Sequence, residues 1–216
     1  MLPNKRPLLI GITGNMGSGK SSFCNMLETN GLRVIYADTI AQQRLEDKAV
    51  IDTLVLKYSE SILKNTGLKK TRVIDRKHLA DIVFNSPEET KYLNTLIHPL
   101  VLNDFAELIA NAEEPYLGFE VPLLFEAGLK ECFDYLVLVY VPLELRLKRL
   151  IDKGDNKENA LKRMQHQIPD EDKLFQVDLA IDNSSGISQL ETSAKALIAK
   201  LPQLKQKHIR PFSNCC

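Results

Sequence analysis

The stretch GITGNMGSGKSS, Gly11 to Ser22, follows directly on the apolar run PLLI, and its reading decides the fold. Gly14, Asn15, Met16, Gly17, Ser18, Gly19, Lys20 and Ser21 meet the pattern G-x-x-x-x-G-K-[ST], with Ser22 just behind. Glycines let consecutive backbone N–H groups turn inward into an anion-binding nest that side chains elsewhere would block. A helix opening at the same point adds its free N–H groups and the positive end of its dipole. Lys20 would then reach the β and γ phosphates of a bound nucleotide, and the Ser21 hydroxyl would bind Mg²⁺. An ordinary glycine turn also fits the pattern alone. The buried strand before it and the amphipathic helix after it favour the phosphate grip. In that helix Phe23, Met26 and Leu27 share one face, and Gly31 is placed to end it in the left-handed conformation.

Working outward, five short apolar runs recur: PLLIGI, LRVIYA, YLGFEV, YLVLVYV and DLAID, each bounded by Gly, Pro, Asn or Asp. They lack two-residue alternation, as strands buried on both faces do. Strand, loop and helix alternate, which predicts an α/β fold: a doubly wound, five-stranded parallel sheet of the P-loop NTPase type. The second and third runs are separated by far more chain than one crossover needs, and DRKHLADIVF, PEETKYLNTLI and PLVLNDFAELIANA read as three helices filling that gap. A helical insertion is therefore expected over 61–115, within a core formed by 1–60 and 116–216. A second, charged helical excursion, about 143–175, is placed to serve as a lid.

The 216 residues, 44% of them hydrophobic, suffice for a sizeable core. Basic and acidic residues number 28 each, so no overall field draws the chain to nucleic acid or to an anionic membrane, and any phosphate affinity is local. No apolar run approaches the ~20 residues that span a bilayer. Cys24, Cys132, Cys215 and Cys216 show neither metal-type spacing nor the density of a disulfide scaffold, so a reducing, cytoplasmic setting is expected. The tail KQKHIRPFSNCC reads as frayed. Oligomeric state stays open between a monomer and a small homo-oligomer, since amphipathic helices can face a core or a partner.

In open α/β sheets, ligands collect beyond the carboxyl ends of the strands. Two acids stand there: Asp38 after RVIYA and Glu120 at the end of YLGFE. Asp38 could orient or accept the proton of an acceptor hydroxyl, or merely cap the following helix. Glu120 could hold Mg²⁺ directly or through water. Among the cations of the second excursion, Arg146, Lys148, Arg149, Lys153, Lys157, Lys162 and Arg163, most should be solvated and one or two should point inward. Arginine stabilisation of a phosphoryl-transfer transition state is worth ~10³ to 10⁵ in rate, against ~10² to 10⁴ for a general base. Electrostatic clamping is thus the larger effect.

Together with VIYADTIA, DRKHLADIVFNSPEETKYLNTLIHPLV, VPLLFEAGL, RMQHQIPDEDK and AIDNSSG, taken in order from Leu8 to Leu190, the loop resembles the dephospho-coenzyme A kinases. LIHPLV and VPLLFE at this spacing carry most of the specificity. The resemblance implies transfer of the ATP γ-phosphoryl to the 3′-hydroxyl of the dephospho-coenzyme A ribose. It also implies a catalytic role for Asp38, Lys20, and Arg149 or Arg163 from the lid. The insertion would bind the acceptor, with Arg76 and His98 at characteristic positions and Leu124 in an apolar run that can pack on the pantetheine arm. Three positions depart from the family pattern: Tyr36 replaces the first Asp of a DAD motif, Glu120 stands where Asp is frequent, and Lys153 takes a place often filled by Arg. DNSS, at the last strand, is either an adenine neighbour or an ordinary turn. Two alternatives remain from the motif alone: a kinase for another small acceptor, or a nucleotide-dependent switch. A guanine-reading switch would carry N-K-x-D, and the nearest match is NKEN at 156–159.

Overall fold

The computed structural model describes residues 6–64, 72–84, 86–165 and 167–215. Residues 65–71 of the expected insertion, His166 of the expected lid, and Cys216 lie outside them. The five apolar runs form β1 (Leu8–Thr13), β2 (Val34–Tyr36), β3 (Tyr116–Glu120), β4 (Tyr135–Tyr140) and β5 (Leu179–Asp182). They make one parallel sheet in the order β2-β3-β1-β4-β5. Every residue of β1 is buried, which is why the run shows no alternation.

Helices α1 (Lys20–Thr29), α2 (Ala37–Arg44), α3 (Lys48–Tyr58), α4 (Arg76–Phe84), α5 (Pro87–Ala110), α6 (Leu143–Asp152), α7 (Lys157–Met164), α8 (Asp170–Leu174) and α9 (Ile187–Lys200) surround the sheet. Helix α1 ends as its sequence predicts. Gly31 takes φ +91°, its N–H donates to Glu28 O at 2.9 Å, and the Leu32 N–H donates to Leu27 O at 3.0 Å, a full Schellman motif. One sheet face packs Phe23, Cys24 and Leu27 of α1 with Leu190, Ala194 and Leu197 of α9. On the other face Phe105 of α5 meets Phe119 of β3 edge-on, so the helices of the insertion share one apolar core with the sheet.

Helix α5 corrects one expectation. Two helices broken at Pro99 were expected, whereas one helix of 24 residues runs through it. Its start is well fixed: Ser86 accepts from the Glu89 N–H at 3.3 Å, with Pro87 and two glutamates in the first turn. A proline inside a helix forfeits one hydrogen bond, and here the buried stripe Ile97, Val101, Leu102 and Phe105 holds the axis together across the gap.

The tail is a second correction. Instead of fraying, it docks: Phe212 packs among Phe105, Phe119 and Phe133, and the Arg210 N–H donates to Glu131 O at 2.8 Å. The cysteine pattern pointed to a reducing setting without a disulfide scaffold, whereas Cys215 forms a disulfide with Cys132, and Cys24 is free and buried. A lone aromatic in a proline-interrupted tail has no periodicity to betray its burial.

Asp134 joins the tail to the sheet. Its buried carboxylate receives Arg6 Nη1 at 2.5 Å and Nη2 at 2.8 Å, the Leu9 N–H at 2.8 Å and the Lys207 N–H at 2.7 Å. Burial alone would raise its pKa, yet the Arg6 pair and the two backbone donors prevail and hold it below the usual aspartate value. A depressed carboxylate contributes stability that is present above its unfolded pKa, near ~4, and is lost as pH falls through the lower folded value. Asp134→Ala should therefore cost about 3 kcal/mol at neutral pH. It should also flatten the acid limb of the stability profile, measured by urea unfolding between pH 7 and 2. An unchanged midpoint at pH 7 would show that the clamp contributes nothing.

Candidate active site

The sheet register brings the strand ends level: Glu120 of β3 lies opposite both Ile12 of β1 and Tyr36 of β2. The phosphate loop, 14–21, leaves the central strand between a β2/β3 flank and a β4/β5 flank. Gly19 takes φ +92°, and a Cβ there would overlap the Asn183 carboxamide, so only glycine lets α1 start this close to β5. Asn183 is itself buried and donates to the Ser18 carbonyl at 2.8 Å. The last strand thus braces the loop, a role beyond an ordinary turn. The Asp182 side chain does build such a turn beside it, accepting from the Ser184 N–H at 2.8 Å.

Lys20 opens α1 and forms an ion pair with Glu120, both side chains nearly buried, at 11% and 6% exposure. Ser21 and Ser22 follow on its exposed first turn. The oxygen donors available beside the loop, the Ser21 hydroxyl and the Glu120 carboxylate, suit a hard cation such as Mg²⁺, which needs few protein ligands because it retains waters.

On the β2/β3 flank a cleft of about 520 Å³ opens between α2, α5 and the segment after β3. Asp38, His98, Pro99, Val121 and Leu123 are among its walls. The β2 strand ends at Tyr36 and α2 begins at once, so Asp38 sits in the first turn and not at the cap, with no capping hydrogen bond from its side chain. Among the described residues no hydrogen bond or ion pair engages its carboxylate. Tyr36 turns the other way, donating from its hydroxyl to Glu28 Oε2 at 2.7 Å on α1. His98 is exposed on the cleft wall; partial desolvation there shifts its imidazole pKa downward, and the ring would meet an acceptor as a hydrogen-bonding group.

Two expected acceptor residues stand elsewhere. Leu124 is fully buried against Gly11 in the core, and its neighbour Leu123, 41% exposed, faces the cleft instead. Arg76 donates to Gln42 Oε1 at 2.9 Å and to Glu46 Oε1 at 2.6 Å, beside a separate small cleft. Both are shifted by tertiary packing that sequence periodicity does not report.

On the β4/β5 flank, Arg149 of α6 reaches the loop. It donates to the Asn183 carbonyl at 2.8 Å and to the Ser18 carbonyl at 3.4 Å. Arg163 is exposed and pairs with Asp155 at 3.6 Å. Lys153, after α6, is exposed as well. The near-match NKEN has a structural role: Asn156 Oδ1 caps α7, accepting from Glu158 N–H at 2.9 Å and Asn159 N–H at 3.3 Å.

Residues 8–189 match the model of the dephospho-CoA kinase family. The chain belongs to that family. It is 35% identical to a dephospho-CoA kinase of Fusobacterium nucleatum over 85% of this chain and 93% of the relative. With one of Thermus thermophilus it shares 34%, over 91% and 93% respectively. Among solved structures, a Thermus thermophilus protein superposes with a TM-score of 0.78 at 34% identity, covering 91% of this chain and 99% of that one. The dephospho-CoA kinase of Campylobacter jejuni gives 0.61 at 30% identity, covering 89% and 96%. A shikimate kinase of Acinetobacter baumannii, at 16% identity and 0.52, covers 91% of this chain and 93% of its own and shares the fold.

Sequence reasoning singled out none of Gln167, Lys173 and Glu126, whose side chains stand behind the loop. Arg146 is one of the cations of which one or two were expected to point inward, and it is buried beside the loop, as is Lys173. For kinase turnover the geometry ranks the two arginines of the charged excursion. Arg149→Ala should lower kcat by about 10³-fold, the scale of a lost transition-state arginine. Arg163→Ala should lower it far less, and a steady-state comparison giving the reverse order would reassign the role.

Proposed function

We propose that this protein transfers the γ-phosphoryl group of ATP to the 3′-hydroxyl of the ribose of dephospho-coenzyme A, giving coenzyme A and ADP. The observation that carries this reading is the placement of Asp38, in an acceptor-sized cleft, on the flank of the phosphate loop opposite the lid arginine. Family membership supplies the acceptor's identity.

The loop amides and Lys20 would hold the β and γ phosphates, and Ser21 with Glu120 would hold Mg²⁺, Glu120 directly or through water; the ion would neutralise phosphate charge. Asp38 would orient the acceptor hydroxyl and take its proton. Charge spread over the phosphoryl oxygens in the loose transition state is best met by fixed cations, so Lys20 and Arg149 would contribute more than the base. His98 and the apolar wall from Val121 to Leu123 would take up the acceptor's neutral length. Closure of α6 to α8 would exclude water, which competes for the phosphoryl group. The balanced charge of the chain supports a reaction on free substrates without nucleic acid or an anionic membrane surface; the setting we propose is the cytoplasm, and the assembly a monomer or small homo-oligomer.

The test is incubation of purified protein with Mg·ATP and a panel of acceptors, dephospho-coenzyme A, nucleosides and sugars among them, with mass spectrometry of the products. One added phosphate on dephospho-coenzyme A alone is the expected result. Phosphate on another acceptor, with dephospho-coenzyme A unmodified, would overturn the assignment.

A further inference from the structure

Lys173 is fully buried on α8, a short helix in the charged excursion, where an ammonium must be paired to stay charged. Its Nζ donates to Asn15 Oδ1 at 2.8 Å and to Glu126 Oε1 at 3.1 Å. Asn15 Nδ2 in turn donates to the Ile168 carbonyl at 3.0 Å, and the Ile168 N–H donates to the same Glu126 Oε1 at 2.8 Å. These four bonds close a ring. It joins the second residue of the phosphate loop, the coil that leads into α8, and the segment after β3 whose earlier residues line the acceptor cleft. Beside it the Met16 N–H, an amide of the phosphate loop, donates to Gln167 Oε1 at 3.0 Å. Buried Arg146 stands 3.7 Å from buried Asp170 next to the same lid segment.

We propose that Lys173 is a positioning residue for the ATP site: through Asn15 it fixes the direction of the phosphate-loop amides and locks the lid to that loop. The inference rests on the phosphoryl-transfer reading above. Its physical basis is that an anion nest stabilises charge only if its donors are already aimed, so a flexible glycine loop needs an outside anchor. A buried, doubly bonded ammonium supplies one, since releasing it would strand both its own charge and that of Glu126. A solvent-facing lysine would give no such lock, because an exposed pair is worth little.

Three variants separate positioning from mere stability. Asn15→Ala keeps the Lys173–Glu126 pair and removes the link to the loop. Lys173→Met removes the anchor and leaves Glu126 unpaired. Lys173→Met with Glu126→Gln removes both charges, so its melting temperature should recover toward wild type. All three should lose about 10²-fold in kcat/KM for ATP, the scale of a misplaced site. Calorimetric ATP affinity should weaken in parallel.

Wild-type kcat/KM for ATP in Asn15→Ala, or its return in the double variant once stability recovers, would overturn the proposal. If Lys173→Met does not fold, Asn15→Ala decides the matter alone, in either direction. ATP affinity is read without any acceptor. If the wild type phosphorylates no dephospho-coenzyme A, the substrate reading fails, while weakened ATP binding in Asn15→Ala still upholds the anchor and unchanged binding still refutes it.

Discussion

The site depends on the ion pair between Lys20 and Glu120 at the mouth of the two central strands. Both groups are nearly out of water, and neither charge is tolerable there without a partner. The parallel register brings them together: β1 delivers Lys20 through the glycine loop, and β3 ends on Glu120, directly opposite Ile12. A polyphosphate drawing Lys20 away would leave a buried carboxylate unpaired, so a cation at Glu120 is the natural counterpart. Donor and metal binding would thereby be coupled by electrostatics at a single point. In the proposed reading the flanks then divide the work, with the cleft beside β2 taking the acceptor and Arg149 beside β5 meeting the phosphates.

Much of the architecture was legible because its signals are local. Buried parallel strands are continuous apolar runs, and all five were recognisable; Gly31 announced the end of α1 by its own backbone freedom. What escaped was tertiary. Pro99 marks a break by local rules, yet the apolar stripe of α5 carries the helix across it. Phe212 and Cys215 sit in a tail with no period, so nothing in their neighbourhood reports that the core receives them.

The same division holds in the site. The loop residues are contiguous and the chemistry dictates their types, so the loop could be read directly, and Asp38's position at the cleft followed from its place beyond a strand. Leu124 and Arg76 lie near the right elements but point away from the cleft, and one residue of rotation separates Leu124 from the exposed Leu123. Lys173, Glu126 and Asn15 meet only because 47 and 158 residues of chain return to one spot. Their burial inverts the usual reading of a charged segment.

The most direct test of the division between donor loop and acceptor acid is Asp38→Asn, which preserves shape while removing the carboxylate. Calorimetry of ATP binding, with single-turnover phosphoryl transfer to dephospho-coenzyme A on the same preparation, separates the two functions. ATP affinity should stay at the wild-type value, while the transfer rate falls by about 10²-fold or more, within the range of a lost general base. A wild-type transfer rate in the folded variant would contradict the account, and Asp38 would then be no more than a favourable charge in the first turn of α2.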